Sequence, residues 1–155
     1  MSKVEEVHAY LRQHGLQIIE FSHQTPDVPS TAEALGCHLA EIAKTLLLFV
    51  GSVPLVVVTS GDMKVNSSML KEASGLTGKV RFPDHAEVLA LTGYAPGGVS
   101  PFLLGRDLKV LIDDSLDRFG CIYPAAGNDR SAVALSHDQL LQLTGGQCAK
   151  VCVQI

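Results

Sequence analysis

The sequence predicts a mixed α/β fold in which hairpins and crossover strands share one sheet. Two runs, residues 44–50 and 55–60, are almost wholly apolar and are joined by Gly51-Ser52-Val53-Pro54, the signature of a hairpin. Strands apolar on both faces belong at the centre of a sheet with cover on each side. Helical segments with clear caps then interleave irregularly with short strands, which excludes a regular doubly wound order. A length of 155 residues with 46% hydrophobic content fits one domain, residues 1–155.

The elements follow in order. Residues 3–14 carry Val4, Val7, Tyr10 and Leu11 at helical spacing and stop at Gly15, giving a surface helix on which His8 and His14 lie. Residues 17–21 form a short strand. Ser30-Thr31-Ala32-Glu33 reads as a capping box opening a helix that ends at Gly36, with a further helical turn over 38–43. After the hairpin, Asn66 caps a helix over 66–74 stopped by Gly75, and 80–82 is a short strand. Asp84 caps a helix carrying Ala86, Val88, Leu89 and Leu91 and ending at Gly93. Strands are expected at 108–113, 121–126 and 131–135. Ser136-His137-Asp138-Gln139 opens a last helix, ended by Gly145-Gly146, before a closing strand over 149–154.

Composition narrows the function. The longest apolar runs, 46–50 and 55–58, fall far short of the ~20 residues that span a bilayer, and the polar, acidic start is no signal peptide. A cytoplasmic protein without membrane partners is expected. Cys37, Cys121, Cys148 and Cys152 are scattered and read as small buried hydrophobes, the last two sharing one face of the closing strand. No metal motif, phosphate loop or dinucleotide fingerprint occurs, so no metal and no cofactor is expected. A net charge of −4 argues against general nucleic-acid binding, yet Lys64, Lys71, Lys79 and Arg81 cluster within eighteen residues. They form either a solvated face or a local patch for a nucleic acid.

Two features could carry chemistry. Lys44 stands at a strand entry, where a lysine is either a solvated end residue or a cation facing a pocket, able to bind phosphate or stabilise charge at an ester. About fifty residues on comes Gly93-Tyr94-Ala95-Pro96-Gly97-Gly98-Val99-Ser100-Pro101. Its glycines let backbone N–H groups approach a ligand and its prolines stiffen the flanks, as an anion or oxyanion site requires; a tight surface turn is the alternative. Asn128 sits in a turn, a place where Asn is common for backbone reasons alone. No serine elbow and no activated cysteine supplies a nucleophile, and adjacent Asp113 and Asp114 point to opposite faces of a strand.

Lys44-Thr45-Leu46-Leu47-Leu48, the glycine loop 93–101, Val110-Leu111-Ile112-Asp113 and Ala125-Ala126-Gly127-Asn128, in that order, resemble the YbaK/EbsC family. These are free-standing relatives of the prolyl-tRNA synthetase editing domain, and the resemblance spans nearly the whole chain. It implies a partly barrel-like mixed sheet with helices outside, and a trans-editing hydrolase that deacylates mischarged aminoacyl-tRNA. The amino acid would be small, such as Ala, Cys or Ser, on a proline tRNA. The resemblance implies catalytic Lys44 and Gly98. On this reading the substrate is expected against Thr45, Gly97, Val99, Ser100 and Asn128, with the tRNA acceptor end meeting the basic cluster Lys64, Lys71, Lys79 and Arg81. The ribose 2′-hydroxyl, or a substrate thiol, would assist in place of a protein nucleophile. Ala125 and Ala126 stand where some members carry serine or glycine, which leaves the amino-acid preference open. Prolyl-tRNA synthetase is a candidate partner. Two other readings stay open: a non-catalytic module binding aminoacyl-tRNA or a synthetase, and an esterase acting on a small metabolite.

Overall fold

A computed structural model describes residues 1–155. Helix α1, Lys3–Gln13, is capped by the Ser2 side chain and buries Val7, His8 and Leu11. His8 is therefore not a surface residue. Strand β1, Ile18–Glu20, follows, then α2, Val28–Leu35. Helix α2 starts earlier than the expected box at Ser30. Asp27 is its cap, Ser30 closes the box as the third helical residue, and Pro29 sits in the first turn, where its missing N–H has no partner to lose.

The centre of the fold is β2, Ile42–Val50, paired antiparallel with β3, Val53–Ser60, from Ala43 opposite Ser60 to Val50 opposite Val53. Lys44 is thus the third residue of its strand. Then come β4, Met63–Val65, helix α3, Ser67–Ser74, β5, Val80–Arg81, and α4, His85–Thr92. Strand β6, Lys109–Asp113, a 3₁₀ segment, Asp114–Arg118, β7, Tyr123–Pro124, and β8, Ser131–Val133, lead to α5, His137–Thr144. The expected strands over 121–126 and 131–135 shrink to β7 and β8, with single bridges at Ile122–Leu135 and Ala125–Ala132 between them.

The expected closing strand is two strands, β9, Gln147–Ala149, and β10, Cys152–Gln154. Asp113 is the reason. One of its carboxylate oxygens accepts from the backbone N–H of Val151 at 2.9 Å and of Cys152 at 3.1 Å, which pulls the chain out of register at this point. Cys148 therefore lies exposed on β9 while Cys152 is buried on β10, and the two do not share a face.

The main sheet runs β5-β2-β3-β6-β9, with β7 added parallel to β2; β1 with β8 and β10 with β4 form separate antiparallel ladders. The mixed α/β class holds, but no barrel closes. Strand alternation divides the core. Ala43, Leu47, Val56, Val58, Val110 and Ile112 pack on one face under α1 and α5, and Leu48, Val50, Leu55, Val57 and Leu111 pack on the other with Leu70 of α3. Full burial of each such side chain contributes roughly 1.5–3 kcal/mol, which is why β2 and β3 tolerate almost no polar residue.

Candidate active site

Strand β2 has a gap along one edge. Away from β3 it pairs with β7 only at Ile42 and Ala43, and with β5 only at Phe49 and Val50. Between these, Lys44, Thr45 and Leu46 open onto a cavity of about 310 Å³. Its other walls are the segment entering α2 (Thr25, Asp27 and Thr31), the glycine loop (Gly97 and Val99), and the β7–β8 turn (Asn128 and Ser131). Lys44, Thr45, Gly97, Val99 and Asn128, distant in sequence, are brought to one place.

Lys44 is half-buried, and no carboxylate lies within ion-pairing distance of it. Burial pushes its pKa down, opposed by the proximity of Cys152 and Asp62. Desolvation disfavours a charge without a partner, so the site holds a cation that gains by meeting an anion. Beside it, the Thr45 hydroxyl is buried with no hydrogen-bond partner, an exception to the rule that buried polar atoms are paired. Asp27 is the one carboxylate in the wall. Its cap bonds from the Ser30 side chain and backbone hold its pKa below the usual carboxylate range. The Tyr123 phenol, in the wall between them, is pushed up to about 12, first by its hydrogen bond with the Cys121 thiol and then by burial, so it stays neutral.

The glycine loop is stiff. Tyr94, fully buried, donates its hydroxyl proton to the carbonyl of Phe102, and Lys3 donates to the carbonyl of Leu103 at 2.6 Å. Gly97, at φ +89°, takes a conformation that a side chain would strain, and neither its N–H nor that of Val99 has a protein acceptor. Two expected roles change. The Gly98 N–H donates to the carbonyl of Ala95 at 3.0 Å, closing a turn, so it is spent and cannot serve as an oxyanion donor. Gly98 is needed for closeness instead: a Cβ there would come within 2.8 Å of the Asn128 backbone. Ser100 is fully buried and donates to the carbonyl of Ala125 at 2.7 Å, tying the loop to the β7–β8 turn and not facing the cavity.

The four basic residues lie elsewhere. Lys79 and Arg81 are at the hairpin end of β2, where Arg81 opposes Phe49, five positions along the strand from Lys44 or about 17 Å. Arg81 is held by both oxygens of Glu87, at 2.9 and 3.1 Å, and stacks on Phe49. Lys64 is exposed on β4, and Lys71 is partly buried on α3. Asp27, Thr31, Tyr123 and Ser131 were missed by sequence reasoning; only Asp27, a cap two residues before a proline, carried a local signal.

The family model for the aminoacyl-tRNA editing domain matches residues 22–143, over three quarters of the chain and every wall of this cavity. The chain belongs to that family. "Uncharacterized protein YwhH" of Bacillus subtilis is 34% identical over 82% of this chain and 80% of its own length. The "Putative Cys-tRNA(Pro)/Cys-tRNA(Cys) deacylase EbsC" of Enterococcus faecalis is 30% identical over 79% of this chain and 74% of its own. Among solved structures, "Crystal structure of a putative trans-editing enzyme for prolyl tRNA synthetase" superposes with a TM-score of 0.85 at 26% identity, covering 97% of each chain. In class, then, the protein is an aminoacyl-tRNA deacylase, a carboxylic ester hydrolase.

Proposed function

We propose that this chain is a cytoplasmic trans-editing hydrolase that removes a small amino acid, alanine, cysteine or serine, from mischarged proline tRNA. The observation that carries the reading is an unpartnered, half-buried Lys44 lining the cavity, with an unpartnered buried hydroxyl on Thr45, the next residue of the strand. At about 310 Å³ that cavity is at the small end for ligand sites and suits an aminoacyl group with a short side chain.

The roles follow from the donors present. Lys44 stabilises the negative charge that develops on the ester, and the N–H groups of Gly97 and Val99 stand ready for the carbonyl oxygen. Asp27 at the rim receives the α-ammonium, and the Thr45 hydroxyl takes a polar group of the substrate. An aminoacyl ester is already activated, so holding it against a water, with the ribose 2′-hydroxyl beside it, supplies most of the acceleration. Lys64, Lys71 and Lys79 meet the acceptor stem, Arg81 contributing little charge because Glu87 answers it. Prolyl-tRNA synthetase, which makes the mischarged product, is the partner this activity serves.

The test is a panel of tRNAs charged with alanine, cysteine, serine and proline, incubated with purified protein, beside simple amino-acid esters. Hydrolysis confined to small amino acids on proline tRNA is expected. Equal turnover of free esters would indicate a metabolite esterase, and tight binding of charged tRNA without hydrolysis a binding module.

A further inference from the structure

Asn128 carries a hydrogen-bond pattern that fixes which end of its amide faces outward. Its Oδ1 accepts from the backbone N–H of Arg130 at 2.9 Å, and only an oxygen can accept there. The same Oδ1 accepts from the Ser131 hydroxyl at 2.7 Å, so the Ser131 proton is committed. The Ser131 oxygen lies 3.3 Å from Nε2 of His8. Since the hydroxyl already donates to Asn128, His8 must be the donor in this contact, with the proton on Nε2. The chain therefore runs one way, from His8 through Ser131 to the Asn128 oxygen, and leaves the Asn128 NH₂ without a protein partner at the cavity wall.

His8 and Ser131 are 123 residues apart, and their meeting is built into the packing. Helix α1 lies against the 126–128 turn, where Gly127 takes φ +112°, a backbone course that favours glycine; a Cβ there would make only ordinary contact with Val7 at 3.4 Å and Val4 at 3.5 Å. Both His8 and Ser131 are buried, at 8% and 4% exposure. Nδ1 of His8 faces Glu20 of β1 at 4.0 Å, Arg12 follows one turn later on α1, and the Ala126 carbonyl lies alongside. Protonating His8 would add a donor at Nδ1, toward Glu20, and leave the Nε2 donor in place. The relay does not depend on the charge of the ring.

We propose that His8 is a positioning residue for ester hydrolysis: from behind the cavity wall it holds Ser131, and through it fixes Asn128 with its NH₂ donors turned toward the substrate carbonyl. The proposal rests on the hydrolytic reading above. It assigns a role to a histidine that touches no substrate and to a serine that is not a nucleophile, because its proton is engaged by Asn128.

The experiment compares His8→Leu, His8→Gln and Ser131→Ala with the unaltered protein, using alanyl-tRNA for proline as substrate and recording the Asn128 side-chain amide by ¹⁵N–¹H NMR. Loss of one oriented hydrogen bond corresponds to about tenfold. His8→Leu and Ser131→Ala should lower kcat about tenfold at nearly constant KM and move the Asn128 NH₂ resonances. His8→Gln, which keeps an amide donor, should hold both within about threefold of the original. Full kcat with unmoved resonances in His8→Leu overturns the proposal. So does an equal loss in His8→Gln and His8→Leu with the acid limb of the rate profile abolished, since that is the behaviour of a proton acceptor. If the unaltered protein hydrolyses no charged tRNA, the hydrolytic reading fails, and with it the catalytic part of this one. The resonances still decide the relay in that case: it stands if Leu and Ala move them and Gln does not.

Discussion

Thr59 sits between two charged residues that the fold treats in opposite ways. Across one ladder it opposes Lys44 of β2; on the other side its hydroxyl reaches Asp113 of β6 at 3.4 Å. Asp113 is completely buried and fully answered, accepting from the N–H groups of Ser115, Val151 and Cys152 as well as from Thr59. Lys44 is half-buried and forms no ion pair, and Thr45, next along the strand, keeps a buried hydroxyl without a partner. A buried polar group with every bond made belongs to the architecture. One left without its bonds marks a candidate site.

Substituting the two charges separates these roles most sharply. Asp113→Ala strands three backbone N–H groups in the interior and should destabilise the fold by about 3–5 kcal/mol, since each bond to a charged acceptor contributes about 1.5–3 kcal/mol and the losses overlap. Lys44→Ala removes a charge that packing does not need. It should leave the urea midpoint nearly unchanged while hydrolysis falls by about 10²–10³, the usual loss on removing a group that stabilises the oxyanion. A folded Lys44→Ala with near-normal turnover would place Lys44 among ordinary strand residues.

Gly98 tests whether the loop acts through its amides or its closeness. Gly98→Ala drives a methyl to within 2.8 Å of the Asn128 backbone, so either the loop or the turn must shift. Overpacking of this kind costs about 1–3 kcal/mol, and the displaced wall should reduce turnover further, by about tenfold or more. Gly97→Ala meets only Pro26, at 3.7 Å, but is strained by its positive φ. It should cost about 1 kcal/mol. If rate per folded molecule is unchanged in both, the loop is a plain turn.

Much of this was legible locally. The caps at Asn66, Asp84 and Ser136 and the stops at Gly75, Gly93 and Gly145 each needed only a few neighbouring residues, and the structure has them all. The hairpin was equally plain, because residues 44–50 and 55–60 are too apolar to lie anywhere but the sheet centre. What failed was long-range. The break at Val151 depends on a carboxylate 38 residues earlier, and nothing near 149–154 announces it. His8 is buried against Ser131, 123 residues further along the chain. The engagement of the Gly98 N–H and the Ser100 hydroxyl depends on loop geometry that a run of glycines and prolines leaves open. The mixed α/β class followed from the elements, whereas the absence of closure followed from pairings that the sequence does not encode locally.

The charge state of Lys44 gives a smaller effect with a distinctive sign. Burial lowers its pKa from the ordinary lysine value, so the cation is lost at a lower pH than on an exposed lysine. Activity should therefore fall on the alkaline side through that depressed pKa, and Lys44→Arg, which stays charged, should lose this limb if it retains any turnover. Stability should move the other way. Between the folded and unfolded pKa the unfolded chain binds more protons, so this residue makes stability rise with pH. The comparison is made against Lys44→Met by urea titration, which removes the contributions of other groups. Activity and stability falling together over that range in the unaltered protein, with Lys44→Met falling alike, would show that Lys44 is not the group titrating.

The smallest expected effect sets two threonines against each other. Thr45 and Thr59 both lie on central strands, and both have buried hydroxyls, but only Thr59 is bonded, to Asp113 and Ser115. Valine keeps the shape of each and removes the hydroxyl. At Thr59 it takes a partner from a buried carboxylate that keeps three backbone donors, and about 1 kcal/mol should be lost, with hydrolysis unchanged. At Thr45 it removes a buried group that has no bond to lose, so stability should be unchanged or higher by up to about 1 kcal/mol. The cost at Thr45 should appear only with substrate, as a weaker KM or an altered preference among alanine, cysteine and serine esters. If Thr45→Val destabilises as much as Thr59→Val and leaves all substrates alike, its hydroxyl is bonded within the protein in solution, and the distinction between a satisfied strand and a waiting one fails at that residue.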